Sequence, residues 1–566
     1  MGRPLMNRLT VMCTGALVML ALGCKDLNLG PKDQVSDASF WKNPDQFRLA
    51  ANDFYFALRG PDQGGGARGT YVELNSDIAT GSGSSAMSSV SNGSYLPAAN
   101  SNLWDNAYSG IRSANFLLQK AEESGLGTEI DRWVGEALFF RAYNYWNLVK
   151  SYGGVPLIDK VLDVSSPEVY AARSTQQQII DFMIADLDNA VAKLRKQSQL
   201  TPDELGRVTQ GAALALKARA ALYQGTWLRY HNEGSPTAML TAAVNAANQL
   251  VASGEYQLYK GQGAQSYKYL FILQGDDSPE VILARRYWAG LATHNWTREL
   301  WFNYMIPTKK LADMYLATDG LPIASSPLFA GYDSLATTEF QNRDPRMAMT
   351  FVVPGSDVFR ETGFGPVFPG FSGTNATRTG YMLRKFADET EEAAHFAGQY
   401  DFKEFRYGEV LLILAEALYE RDGLISDGDL NRTINLLRDR AGMPSASNLT
   451  NGFVGTHGLD MLTEIRRERT VELAFEGFRR DDLRRWKTAD AEMPQALRGV
   501  KFVGTEYQQK EDTSFHVGRD IQVDAGGFVI AEPASARQFL PKHYLDPIPL
   551  QQIQLSKGTL TQNPGW

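Results

Sequence analysis

Residues 129–157 read EIDRWVGEALFFRAYNYWNLVKSYGGVPL, and their apolar side chains recur at helical spacing on more than one face. Ile130, Val134, Ala137, Leu138, Tyr145 and Leu148 form one stripe, while Trp133, Phe140 and Tyr143 form a second. A helix with two apolar stripes needs neighbours on both sides, so the run predicts a sandwiched helix. Gly153, Gly154 and Pro156 then end it.

The same logic extends along the chain. Residues 206–227, GRVTQGAALALKARAALYQGTW, carry Ala212, Ala213, Ala215, Ala218, Ala220 and Ala221, small side chains that let a neighbouring helix come close. The spacing predicts its partner over 175–196. Further helices are predicted over 103–123, 239–252, 402–421, 430–441 and 461–475. Paired helices with small residues at the contacts suggest tetratricopeptide-like hairpins, in a degenerate form without the full repeat signature.

Long stretches between the helices have another composition. Residues 77–100 are rich in Ser and Gly, and residues 352–386 are crowded with Gly, Pro and aromatic residues. Ordered loops of such length are usually functional, and exposed disordered chain seldom carries so many Phe and Tyr. The expected fold is therefore mainly α: a helical-repeat scaffold with long irregular loops and minor β structure.

Composition supports a water-soluble body. Hydrophobic content of 43% and charged content of 21% are near the averages for globular chains, which disfavours a polytopic membrane protein or a disordered one. The first 23 residues differ in kind. Arg3 and Arg8 precede an apolar run, Leu9 to Leu22, that is short for a membrane span and reads as a secretory signal.

That run closes on Leu20-Ala21-Leu22-Gly23-Cys24, which resembles the bacterial lipobox, with Ala21 standing where leucine is commoner. The resemblance implies lipidation of Cys24 after removal of residues 1–23. Cys13 would leave with the leader, so Cys24 would have no disulfide partner. Several acyl chains hold a protein at a membrane stably, at about 0.8 kcal/mol per buried CH₂. Loss of Arg3 and Arg8, with no acid, shifts the formal charge from -8 to -10. Such an acidic body argues against nucleic-acid binding.

An ordered series of blocks resembles the SusD/RagB family, the surface lipoproteins that bind nutrients for outer-membrane transporters in Bacteroidetes. The blocks are Cys24 with Asp26-Leu27, WDNAYSGIRSANFLL (104–118), GEALFFRAYNYWNLVKSYGGVPL (135–157), GRVTQGAALALKARAALY (206–223), YGEVLLILAEALYE (407–420), INLLRDRAGMP (434–444), IRRERTVELAFEGFRRDDLRRWK (465–487), YLDPIPLQQI (544–553) and TQNPGW (561–566). The resemblance implies a SusD-like body over 41–566, behind a tether at 24–40. An N-terminal part would cover about 41–260 and a C-terminal part about 261–566.

The block at 465–487, with Glu464 just before it, sets Arg466, Arg467, Arg469, Arg479, Arg480, Arg484, Arg485 and Lys487 against Glu464, Glu468, Glu472, Glu476, Asp481 and Asp482. Glu468, Glu472 and Glu476 are four apart, on one helical side, where arginines can bridge them. The pattern predicts a salt-bridged lock on the architecture. Enzyme signals are poor: HExxH, GxSxG, a Walker loop and a zinc-type Cys/His cluster are all missing, and the six histidines are scattered. ISDGDLN (425–431) lacks EF-hand spacing, and its Asp429 reads as a helix cap. No cofactor or metal is expected.

Binding remains. Sugar rings present apolar C–H faces rimmed by hydroxyls, so a site for them needs aromatic platforms beside polar hydrogen-bonding groups. RRYWAGLATHNWTRELWFNY (285–304) supplies both, with Tyr287, Trp288, His294, Asn295 and Trp296. Trp288 and Trp296 are the expected platform, and Trp301 and Tyr304 are expected to be packed. Asp77, Tyr95, Arg378 and Tyr381 in the two long loops are further candidates. The implied function is capture of a glycan or oligosaccharide at the outer face of the outer membrane and delivery to a TonB-dependent SusC-like transporter. A peptide receptor of the same family and a surface glycoside hydrolase are the alternatives.

Overall fold

The computed structural model describes residues 40–61, 71–82, 88–360, 363–373, 376–389 and 398–566. The leader, Cys24 and nearly all of the tether lie outside the described residues.

The opening run forms a helix because its two stripes each find a neighbour. After α1 (Pro44–Asn52) come α2 (Asn102–Ser124), α3 (Asp131–Tyr152), α4 (Gln176–Lys193), α5 (Gln210–His231) and α6 (Thr237–Ala252). From α2 to α6 each helix packs on its sequence neighbour, so α3 lies between α2 and α4, and α5 between α4 and α6. Local chemistry sets the starts. Ser101 accepts the Trp104 amide before α2, and Thr175 and Gln178 form a capping box before α4.

Two later helices complete this layer. α8 (Tyr407–Asp422), which follows the short α7 (Trp296–Trp301), packs on α5 and α6, while α10 (Met461–Glu472), which follows α9 (Ile434–Ala441), packs on α8. Beyond it lies α11 (Arg479–Arg485), against α5. Two expected helices differ in detail. Residues Phe402–Arg406 form a strand before α8, and the span predicted over 430–441 breaks between a short helix, Asp427–Asn431, and α9. The oxygen capping that short helix belongs to Ser426, whereas Asp429 accepts the Ser426 hydroxyl and pairs with Arg432.

Strands are short and pair antiparallel: β1 (Ala79–Thr80) with β3 (Ile306–Pro307), β2 (Val281–Arg285) with β6 (Phe402–Arg406), β4 (Ser356–Arg360) with β5 (Gly363–Val367), and β7 (Leu497–Lys501) with β8 (Phe528–Glu532). One large apolar core lies among the helices, and a second lies beneath the loops and strands. The mainly helical expectation, with minor β structure, holds.

The charged block joins these layers. Glu472 of α10 accepts from Arg406 at 2.8 Å, Arg346 at 2.8 Å and Arg440, while Glu468 pairs with Arg438 at 2.9 Å and Arg346 at 2.7 Å. Glu476 binds Arg406 and Lys385, Glu280 binds Arg406 and Arg440, and Asp344 binds Arg346. Five cations thus face five carboxylates, all of them buried. Burial alone would push the Glu472 carboxyl up, but Arg440, Arg406 and Arg346 outweigh it and hold it well below the usual carboxylate range. Such a network is weak as a source of net stability and strong as a constraint, because each mispaired arrangement strands a buried charge.

Candidate ligand-binding surface

The segment richest in rings folds into a tight turn on a fixed base. The Trp288 amide donates to the Ala292 carbonyl at 2.8 Å, and the Ala292 amide returns to the Trp288 carbonyl at 3.0 Å. On one side of the base, the Tyr287 amide donates to Asp401 at 2.7 Å. On the other, His294 and Gly398 exchange backbone hydrogen bonds.

His294 is buried and braces the turn from inside. Its Nδ1 accepts the Trp296 amide at 3.2 Å, which leaves the ring proton on Nε2, 3.0 Å from the Tyr400 carbonyl. Burial pulls this imidazole down to about 4, so it is neutral at neutral pH. Arg286 reaches Asp401 at 3.3 Å and Asp277 at 3.2 Å. Burial, with Asp276 close by, raises the Asp401 carboxyl to about 7.

Backbone from two other regions presses against this turn. A Cβ on Gly60 would lie 2.2 Å from the Tyr287 hydroxyl oxygen, and one on Gly206 would lie 2.5 Å from Cδ of Arg286. Glycine at these positions leaves room for the Tyr287 and Arg286 side chains. The turn is therefore flanked by the segments that carry Phe56 and Leu205, both exposed, while Trp288 itself is 66% exposed and Leu291 is 88% exposed. The Trp288 indole thus faces solvent on a turn whose backbone is hydrogen-bonded on both sides.

A second exposed aromatic group follows α7. Asn303 takes a left-handed φ of 55°, which ends the helix and turns Tyr304 outward to 39% exposure. The expectation that Tyr304 is packed is thus corrected, and Trp301 is half-buried. Tyr304 lies 6.2 Å from the Phe302 ring, over which Arg298 sits at 5.2 Å. Near this helix stands the β4–β5 hairpin, whose Phe364 is 50% exposed.

Several predicted site residues take structural places instead. Trp296 is 2% exposed and packs on Phe386 and Phe402, because its helix turns that side of the segment into the second core. Of the two tryptophans expected to form a platform, Trp296 is thus corrected to a core residue, and Trp288 presents its ring to solvent. Tyr287 and His294 are buried in the base of the turn, and Asn295 is half-buried at the start of α7.

Asp77 is buried in a two-point pair with Arg479, at 2.8 Å to each carboxylate oxygen. Tyr381 is buried, its hydroxyl donating to Glu339 at 2.6 Å. Arg378 is half-buried, holding Thr80 Oγ1 at 3.1 Å, and Tyr95 is half-buried on the Trp566 ring, 4.8 Å away. Asp77 and Tyr381 are therefore corrected from surface contacts to buried parts of the frame, while Arg378 and Tyr95 keep part of their surface open.

Sequence reasoning missed Tyr304, Phe364, Phe56, Leu205 and Leu291. The glycines flanking Phe364 were a turn signal that could have marked it; the others carried none. Among the described residues no group of acidic, histidine or cysteine side chains could hold a metal ion. The carboxyls raised to about 7, Glu73 and Asp401, are both buried and accept backbone amides, so neither opens onto this surface.

Comparison with known proteins agrees with this architecture. Residues 258–566 match the family described as "SusD family", and residues 67–222 match one described as "Starch-binding associating with outer membrane". SusD-like protein P2 of Formosa agariphila is 24% identical over 513 residues, taking in 83% of this chain and 89% of its own. SusD-like protein P38 of the same species is 25% identical over 288 residues, 48% of this chain, and the match spans about half of that relative, 52%.

Among solved structures, a SusD-like carbohydrate binding protein from Bacteroides fragilis aligns with 91% of this chain and 99% of its own at a TM-score of 0.75 and 23% identity. A laminarin binding SusD-like protein aligns with 93% and 100% at a TM-score of 0.59 and 21% identity. At these identities the structural likeness establishes the fold. The first family match takes in more than half of the residues and runs through α8, α10 and the buried charge network, and on that ground the chain belongs to the SusD family.

Proposed function

We propose that this protein binds a glycan or oligosaccharide at the outer face of the outer membrane and passes it to a TonB-dependent SusC-like transporter. It acts without catalysis, tethered through lipid on Cys24. The observation that carries the reading is Trp288, a ring held open to water on a turn closed by hydrogen bonds on both sides. A sugar's C–H face can stack on such a ring, whose backbone is already held in place. Tyr304 and Phe364 offer further stacking faces, with Arg298 and Asn295 nearby in sequence for hydroxyl contacts.

Relatives support this chemistry by name: one matching family is described as starch-binding and associating with the outer membrane, and one structural neighbour as laminarin binding. Affinity need not be high, since a millimolar contact corresponds to about 4 kcal/mol and a tethered receptor beside a pore gains from effective concentration. Among the described residues no helix is long and apolar enough to cross a membrane.

Affinity electrophoresis of the protein against a polysaccharide panel tests the reading, with a peptide library as a parallel arm. Retardation by at least one glycan, lost in Trp288→Ala, is expected. Binding confined to peptides, or release of sugar from any polysaccharide, would overturn it. Labelling with tritiated palmitate should mark the wild type and not Cys24→Ser.

A further inference from the structure

The residues that lead from β2 into the Trp288 turn alternate between two faces. Arg285 lies over the Tyr287 ring at 5.9 Å, and a Cβ at Gly60 would meet both of these side chains. Tyr287 is buried, whereas Arg286 before it and Trp288 after it are exposed. The two-residue period of extended chain thus sets Arg286 and Trp288 on the same side.

Arg286 is held there by three separate segments. Its Nε lies 3.3 Å from Asp401 Oδ2, its Nη2 donates to Asp277 Oδ1 at 3.2 Å, and its Cδ rests against Gly206, where a Cβ would stand only 2.5 Å away. As an exposed ion pair, Arg286 and Asp277 contribute little to stability. Their value lies in what they leave open. Among the described residues, Arg286 Nη1 and Asp277 Oδ2 take part in no hydrogen bond, and the side chains of the pair are 37% and 75% exposed. A donor and an acceptor therefore stand side by side on the face that carries the indole.

Two neighbouring hydroxyls of a sugar ring match that arrangement, one accepting from the guanidinium and the other donating to the carboxylate. The positive charge is already answered by Asp277 and Asp401. Of the other charged groups nearby, Lys403 binds Asp276, and Arg285 is directed to the Leu58 carbonyl at 2.8 Å. An acidic or sulfated sugar would gain no free cation from this pair and would meet the Asp277 carboxylate at close range.

We propose that Arg286 and Asp277 are the polar half of the Trp288 subsite, and that this subsite selects a neutral sugar with two adjacent free hydroxyls. The inference rests on the reading of Trp288 as a glycan platform. Trp288 supplies the stacking face, and the ion pair beside it in sequence reads the hydroxyl edge.

The test uses the full mature chain and the variant Asp277→Ala, whose side chain is exposed and hydrogen-bonded only to Arg286, so that the melting temperature should stay at the wild-type value. Soluble starch, galactomannan and arabinoxylan are titrated calorimetrically in native, O-methylated and carboxymethylated forms. Methylation keeps the stacking face and removes the donated proton. The wild type should prefer a native form over its methylated form at least about fivefold, and Asp277→Ala should weaken native binding about tenfold and bring the two forms within about twofold. Absence of binding to all three, or binding that survives Trp288→Ala, would overturn the platform and this proposal with it. Binding that needs Trp288 but keeps its strength and its preference for native material in Asp277→Ala would refute the pair and leave the platform standing. A carboxymethylated form bound more tightly than its native form would refute the selection for neutral sugars.

Discussion

Arg406 donates through Nη1 to Glu472 Oε1 at 2.8 Å, although the two residues are 66 positions apart and neither meets solvent. The contact ties strand β6 to helix α10, and Arg440 and Arg346 bind the same carboxylate from α9 and from the segment before β4. Glu472 is the point where three otherwise separate elements are made to agree.

Glu472→Gln should therefore destabilise the fold strongly. The amide keeps the volume but leaves Arg406 and Arg440 short of a counter-charge in the interior, a loss of about 3–5 kcal/mol. Denaturant midpoints compared at unchanged slope measure it. A loss below about 1 kcal/mol would mean that water reaches the network after all.

Acid should weaken the protein partly through Asp77. Burial pushes this carboxyl up, but the two-point Arg479 contact, with Lys310 beyond, holds it down to about 2. Its folded pKa lies below the ordinary aspartate value of about 3.9, so the stability it contributes is present above pH 4 and is lost as pH falls toward 2. The contribution is about 2 kcal/mol. The gap in melting temperature between wild type and Asp77→Asn should narrow from pH 6 to pH 2.5; a constant gap would contradict this.

Glu73 should act with the opposite sign. Burial raises it to about 7, against which the Arg479 and Phe475 amides act only weakly. The folded carboxyl keeps its proton where the unfolded one, near 4.3, has released it, so stability falls as pH rises from about 4 to 7. Glu73→Gln imitates the protonated acid. Its stability relative to wild type should improve across that window and level off above it. A pH-independent difference between the two would refute the assignment.

The two tryptophans of the same segment should separate cleanly. Trp288→Ala should leave the melting temperature within about a degree while raising the dissociation constant for a bound glycan at least about tenfold, roughly 1.4 kcal/mol. Trp296→Ala removes a core ring and should cost about 3–5 kcal/mol of stability. Calorimetric titration together with thermal unfolding checks both. Equal loss of stability in the two variants would place Trp288 in the core.

Much of the scaffold was legible in one dimension. Two apolar stripes on residues 129–157 and an alanine-lined helix at 206–227 required neighbours, and α2 to α6 supply them in sequence order. The glutamates spaced by four in the 465–487 block foretold ion pairs, but the cations that meet them, Arg346, Lys385, Arg406, Arg438 and Arg440, all come from outside that block. Residues 402–406, FKEFR, read as the start of a helix because five residues with two apolar positions carry no period of their own. Tertiary pairing with β2 makes it a strand.

Periodicity and charge spacing are local properties, which is why the order of helices, the existence of an ion-paired lock and the aromatic-rich loop could be read from the residues. Exposure is not local. Trp288 and Trp296 stand eight positions apart with similar neighbours, yet Trp288 faces solvent and Trp296 lies under Phe386. The difference comes from the backbone bonds between His294 and Gly398 and the bond from the His294 ring to the Tyr400 carbonyl, more than a hundred positions along the chain, which turn one ring outward and the other in.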